Sequence, residues 1–251
     1  MGIFDRFKKK KEKEFVEEII AKLGCDCLII EADNVNDVMK RYQQALFEGR
    51  KEGYTPLIIM PSERMLEIID PEADLEFPTD DRETILAKSK DINAQKLVKS
   101  LLDEVISEEE EDFEDEDDIA GEFSVEESSS HFLSLEEVIN KKVIMAKIPT
   151  DNPWEAAAWI PMGGFNECPM PEEQVAVFQH WYEKYRALPA LVTEDVWEFI
   201  VENPPRTREE SESLAWEQFG FCPDIVWQGV GTVNALAGTL LDSSTWYFWW
   251  D

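Results

Sequence analysis

Three places in this 251-residue chain gather groups able to do chemistry. The first is Gly163-Gly-Phe-Asn-Glu-Cys-Pro169, which sets an amide (Asn166), a carboxylate (Glu167) and a thiol (Cys168) in a row. Polar groups presented after a strand and before a helix are where α/β proteins often place sites, so this loop is a candidate pocket. A Cys168–His180 nucleophile pair would need the imidazole within hydrogen-bond reach, which a separation of twelve residues does not imply. The plainer reading is a tight glycine turn in which Asn166 satisfies its own backbone. The second place is the cysteine set. Cys168 and Cys222 each precede a proline, and Cys25-Asp-Cys27 sits in an apolar stretch. A zinc site needs four ligands, and only His131 and His180 supplement these thiols. Ordinary buried cysteines account for them more simply, and neither a metal nor another cofactor is expected.

The third place is the C-terminus. Arg206 and Arg208 are two of the four basic residues beyond Lys147, and Asp224 and Asp251 are their natural partners. A chain ending on a covered strand must neutralise its terminal charges, and a bidentate arginine does so efficiently. Such a pair could equally floor a pocket among Trp159, Trp249 and Trp250. The candidate pocket is therefore Trp159, Asn166, Glu167, Cys168, Arg208, Asp224, Trp249 and Asp251. Gly229-Val-Gly231-Thr232 opens a helix but lacks the Gly-Lys-Ser/Thr ending of a phosphate loop, so it reads as a structural cap.

The elements that must position these groups are readable. Residues 15–23 are helical and stop at Gly24. Cys25–Ala32 and Thr55–Met60 are apolar strands joined by a helix that Asp33 or Asn34 can cap. That pattern predicts a parallel pair buried on both faces. Ser62 starts a short helix, and Asp80–Ile106 reads as one longer helix. Ser134 and Glu137 form a capping box for a helix to about Lys141. Val143–Ile148 and Glu155–Ile160 read as strands, and Glu172–Arg186 as an amphipathic helix. Pro189–Thr193 and Val196–Val201 make a hairpin around Glu194-Asp195. A helix from Arg208 to Phe219 follows, then one capped by Thr232, then a closing strand Thr245–Trp250. Aromatics on both faces of that last strand predict that it is covered on both sides.

The net charge of −31 is unevenly spread. Residues 101–140 carry 17 acidic residues and no Lys or Arg, and ten of the twelve residues 107–118 are acidic. Like charges at that density repel and cannot offset ordering by burial. The expected organisation is a basic flexible leader (1–14), an N-terminal α/β part (15–106), a disordered acidic linker (107–130) and a C-terminal domain (131–251). All nine tryptophans fall between Trp154 and Trp250, which places a compact aromatic core in that domain. The fold class is α/β, a mixed sheet flanked by helices, with both halves contributing strands. The N-terminal unit is too small to bury both its faces alone.

Met162-Gly-Gly-Phe-Asn-Glu-Cys-Pro169, Trp181-Tyr-Glu-Lys-Tyr185, Pro204-Pro-Arg-Thr-Arg-Glu-Glu210, Phe221-Cys-Pro-Asp-Ile-Val226, Gln228-Gly-Val-Gly-Thr232 and Trp246–Asp251 resemble the domain of unknown function 4253 family. The resemblance covers roughly residues 143–251, with Phe165 where a tryptophan is more usual. It implies an intracellular bacterial protein and brings no activity, catalytic residue or cofactor. The acidic balance opposes nucleic-acid binding, which needs clustered Lys and Arg, and favours a basic protein partner or plain solubility. Four cysteines in this length suit a reducing compartment, so the cytoplasm is the expected location. No apolar run is long enough to span a membrane, and residues 1–14 are at most a weak interfacial anchor. The functional expectation is a non-catalytic interaction module, of the immunity or adaptor type. The alternative is an enzyme or small-ligand binder using a pocket around Gly163–Pro169.

Overall fold

The computed structural model describes residues 15–32, 34–70, 72–73, 79–109, 119–125, 131–138 and 141–251. The expectations for the basic leader and for residues 110–118 and 126–130 lie outside the described residues. Among the described residues no helix is long and apolar enough to cross a membrane.

One mixed sheet organises the chain. Its strands are β1 (Asp26–Ala32), β2 (Thr55–Ile59), β3 (Lys141–Ile148), β4 (Ala187–Val192), β5 (Val196–Val201) and β6 (Thr245–Trp249). Their order across the sheet is β1-β3-β2-β4-β5-β6, and only β2 and β4 pair in parallel. Both halves of the sequence thus build one sheet and share core contacts, as expected. The predicted β1–β2 pair is corrected: β3 lies between them, antiparallel to each. Val143–Ala146 is an apolar run able to fill two buried faces, so it takes the interior slot. β1 is displaced to the edge, where Leu28 is 49% and Ile29 42% exposed.

Helix α1 (residues 15–23), α2 (Val35–Glu52), α3 (Glu63–Ile69), α4 (Arg82–Ser89) and α5 (Ala94–Glu109) come from the N-terminal half. Asn34 caps α2 through its side chain, accepting from Asp37 N. The expected single helix over 80–106 is broken at Lys90–Asn93, and Asn93 Oδ1 restarts it by accepting from Lys96 N at 3.0 Å. The expected strand over 155–160 is instead helix α6 (Ala156–Trp159), preceded by a 3₁₀ turn at Pro153–Glu155. Three successive alanines are the best helix formers available, and a short apolar run does not declare its own period. Residues Leu133–Val138 form a 3₁₀ turn, and β3 begins at Lys141. The later helices are α7 (Pro171–Tyr185), α8 (Arg208–Phe221) and α9 (Val233–Leu240).

Alternate strand residues face two cores. Ile30, Ile58, Val143, Met145 and Leu191 pack beneath α2 with Phe132 and Leu135. On the other face Trp197, Phe199, Trp246 and Phe248 meet α7. There Trp181 stacks on Phe248 with ring centroids 5.1 Å apart and meets Trp246 edge-on at 5.9 Å. β6 is the far edge of the sheet, not a strand covered on both sides. Trp246 and Phe248 are buried, while Thr245, Tyr247 and Trp249 on its other face are half-buried.

The acidic linker also needs correction. α5 runs on to Glu109, and residues 119–125 dock on the fold. Ile119 is 3% exposed, Asn234 Nδ2 donates to Gly121 O at 2.7 Å, and Arg208 lies over the Phe123 ring at 4.7 Å. A Cβ at Gly238 would collide with Ser124 O, so α9 carries glycine where this strap crosses it. The apolar pair Ile119 and Phe123 anchors seven residues bordered by repelling charge.

Candidate functional site

The Gly163–Pro169 loop is a pinned turn that buries its thiol and leaves its amide and carboxylate on the surface. Asn166 and Glu167 stand exposed at positive φ (43° and 61°), as a tight turn requires. Gly163 has φ 151°, and a Cβ there would strike Pro169 O. The loop is closed by Gly164 N donating to Cys168 O at 2.8 Å and Cys168 N to Phe165 O at 2.7 Å. Beneath it sits Gln174 on α7, fully buried. Its Nε2 donates to Met162 O (2.6 Å) and Pro169 O (2.7 Å), and its Oε1 accepts from Trp197 Nε1 at 2.9 Å. One amide thus ties both ends of the loop to the central sheet.

The cysteines are similarly committed. Cys168 is 3% exposed, and burial pushes its thiol well above the ordinary range. Cys222 Sγ donates to Trp249 O at 3.0 Å, and burial raises its thiol as well. His180 does not turn to Cys168. It joins Trp181 and Lys184 around the Glu217 carboxylate at 3.2–3.3 Å, tying α7 to α8. Cys25 and Cys27 lie half-buried at the start of edge strand β1, not in a buried strand. The hydrogen bond from Cys27 pulls the Cys25 thiol below its ordinary value, against the effect of burial. Among the described residues no three His, Cys, Asp or Glu side chains are gathered as a metal site needs.

The predicted arginine–terminus pairing is also corrected. Arg208 bonds Glu212 one turn along α8 at 2.7 Å, and Arg206 bonds Asp242 at 2.6 Å. Asp251 N donates to Asp224 Oδ2 at 3.0 Å. Trp250 is buried, but Asp251 emerges into solvent, so no guanidinium is needed to offset its charges. Trp159 lies elsewhere, beneath the Arg82 guanidinium at 3.4 Å from the ring centroid.

What remains of the predicted pocket is Asp224 and Trp249, which line a cavity, while Asp251 stands in solvent beside Asp224. The cavity occupies about 370 Å³ at the β6 edge, bounded by the end of α8, α9 and the turn between them. That turn, Ile225–Val230, is π-helical, closed by Gly231 N donating to Val226 O at 2.8 Å. Such turns recur at functional sites. Residues from both sides of β6, Trp246 as well as Tyr247 and Trp249, line the cavity, which therefore wraps around the sheet edge.

Among the described residues Glu198, Gln218, Ser243 and the indole of Trp246 are buried polar groups that line this space, and Ser243 Oγ already donates to Thr245 O at 2.7 Å. Glu198, 1% exposed, accepts from Leu133 N (2.7 Å) and Ser134 N (2.9 Å), one on each carboxylate oxygen. Burial pushes its carboxyl above the usual range, against the pull of those backbone donors. Gln218 is 1% and Trp246 2% exposed. Gln218 Nε2 and Trp246 Nε1 have no hydrogen-bond partner among the described residues. A buried donor left unmade costs about 1–3 kcal/mol, and two of the residues that line this cavity, Gln218 and Trp246, each carry one.

Glu198, Gln218 and Trp246 were not singled out from the sequence. Glu198 did leave a signal, as a charged residue centred in the apolar strand Val196-Trp-Glu-Phe-Ile-Val201. Gln218 left none, being a common residue on an ordinary helix. Beside the cavity lies an open groove of about 790 Å³ that shares Leu133, Tyr247 and Trp249 with it.

Residues 144–251 match the family described as Domain of unknown function (DUF4253). That span contains Glu198, Gln218, Trp246 and the π-helical turn, and excludes Leu133. No curated protein and no solved structure matches the chain.

Proposed function

Because residues 144–251 match the DUF4253 family, whose description assigns no activity, we propose a function from the site alone: binding of a small, largely apolar molecule that carries a hydrogen-bond-accepting oxygen. The observation that carries this reading is that Gln218 and Trp246, whose buried Nε2 and Nε1 donors have no partner among the described residues, both line the β6-edge cavity. Apolar walls with a few convergent polar groups are the usual make-up of ligand pockets. The two carboxylates on the wall favour binding over acid–base chemistry. Glu198 is engaged by two backbone amides, and Asp224 by Gln228 Nε2 and Asp251 N.

The site of this proposal differs from the Gly163–Pro169 loop, whose backbone is pinned by Gln174 and whose thiol is buried. The reading as a module for a basic protein partner has net charge as its support; the cavity adds a bounded location, so ligand binding is the reading carried forward. A cytoplasmic setting accords with four free thiols.

Benzamide, an apolar ring with one carbonyl acceptor, is a suitable probe. It should raise the melting temperature of the native chain and leave unchanged that of Thr239→Phe, which fills the cavity from α9. Toluene, lacking the acceptor, should stabilise less. Equal melting temperatures with and without a panel of neutral aromatic amides at millimolar concentration would overturn the proposal.

A further inference from the structure

The open groove beside the cavity differs from it in charge. Three carboxylates line the groove, Glu136, Glu194 and Asp195, against one lysine, Lys142. Each carboxylate is oriented through one oxygen. Ser62 Oγ donates to Glu194 Oε2 at 3.0 Å, Thr193 Oγ1 donates to Asp195 Oδ1 at 2.6 Å, and His131 Nε2 meets Glu136 Oε1 at 2.7 Å. Glu194 and Asp195 are held on the rigid β4–β5 hairpin, where Asp195 N and Val196 N both donate to Thr193 Oγ1. They stand at the carboxyl ends of the parallel strands β2 and β4, the end of a sheet where α/β proteins commonly bind ligands.

Acidity alone names no ligand. The second observation is the wall that the groove shares with the cavity, Leu133, Tyr247 and Trp249. A molecule in the cavity that Gln218 and Trp246 line, the residues with unpartnered donors, has these two aromatic rings as its boundary on the groove side. An aromatic face flanked by carboxylates favours an organic cation, through ring quadrupole and Coulomb attraction together. An anion would face three carboxylates for one lysine.

Building on the ligand-binding reading above, we propose that the ligand is an apolar organic cation: its acceptor oxygen and apolar body occupy the cavity, and an ammonium or guanidinium group reaches past Tyr247 and Trp249 to Glu194 and Asp195. The groove is then the specificity half of a two-part site. The cavity supplies burial, and the hairpin carboxylates select charge.

Two probes separate the halves. L-phenylalaninamide carries a ring, an amide oxygen and an ammonium group; its N-acetyl derivative keeps the ring and oxygen and is neutral. Calorimetric titration of the full chain should give about tenfold tighter binding of the cationic probe, the factor a charge contact of modest strength supplies. The double variant Glu194→Gln, Asp195→Asn keeps the hairpin's acceptor oxygens. It should bring the two affinities to within about twofold and leave the neutral probe's affinity unchanged, because only the charge is removed. Raising salt from about 0.05 to about 0.5 M should narrow the native preference in the same direction. Equal affinities for the native chain, with both lost in Thr239→Phe, would overturn the cation inference and leave the cavity reading standing. Binding of neither probe to the native chain would overturn both.

Discussion

The Gly163–Pro169 loop and the β6-edge cavity are opposites. The loop carries the residue types of a reactive site on a turn the fold has pinned: Gln174 satisfies both ends, Cys168 is buried, and Asn166 and Glu167 supply the turn's positive φ with their side chains exposed. The cavity carries residue types of little chemical interest, yet two of its buried donors have no partner among the described residues. A binding site is marked less by which groups are present than by which the fold leaves unsatisfied.

The comparison can be broken most forcefully at Gln174. Replacing it with leucine keeps its volume but leaves Met162 O, Pro169 O and the Trp197 indole N–H unpaired in the interior. The expected loss is about 4 kcal/mol in urea unfolding, several times the net worth of one ordinary hydrogen bond. An unchanged midpoint would mean that the loop is not held by this amide.

Next in size is removal of the strap. Cutting out Ile119–Val125 and rejoining the flanks with a flexible linker should cost about 2–3 kcal/mol, since Ile119 and Phe123 pack on the core. The same chain with the strap intact and the acidic residues 110–118 shortened should keep its stability. If both deletions are equally neutral, the strap is not an anchor.

Much of the architecture was legible in the sequence because it is local. The α2 cap at Asn34, the Glu194-Asp195 hairpin and the Thr207 and Thr232 caps each follow from a few adjacent residues. Insertion of β3 between β1 and β2 was not legible, since pairing at a distance of more than a hundred residues leaves no local mark. The strap was masked by the charge on either side of it. In the candidate site, Asp224 and Trp249 line the cavity, although the sequence places them in a pocket around Gly163–Pro169, whereas Gln174 hid as one polar position on an amphipathic helix. Its role depends on Met162, twelve residues earlier, and on Trp197, on a strand beyond.

Glu198 provides a smaller effect with a definite sign. Its carboxyl is raised in the folded chain, so the fold disfavours the charged form. The folded state then holds more protons than the unfolded state between the ordinary carboxylate value and the raised one, and stability falls as pH rises through that window. Compared with Glu198→Gln, the native chain should lose melting temperature as pH is raised from below the carboxylate range towards neutrality. A difference that stays constant with pH, or moves the other way, would count against a strained buried carboxylate at the cavity wall.

The smallest effect is the sharpest contrast with Gln174. Gln218→Leu removes an unpaired buried donor, so stability should change by less than about 1 kcal/mol or rise, because exchanging an unsatisfied polar group for an apolar one of similar size is close to neutral. Benzamide affinity should drop in the same variant. A loss of stability as large as that of Gln174→Leu would erase the distinction between the two regions.

Two indole N–H groups put the central claim to a direct test. Trp197 Nε1 belongs to the loop latch and already donates to Gln174 Oε1 at 2.9 Å; Trp246 Nε1 belongs to the cavity and has no partner among the described residues. With ¹⁵N-labelled protein, both resonances can be followed as benzamide is added. A downfield shift of the Trp246 indole proton, with the Trp197 proton unmoved, is the predicted result, and it should be lost in Thr239→Phe. A saturating titration that moves Trp197 and leaves Trp246 in place would contradict the account and return the site to the Gly163–Pro169 loop.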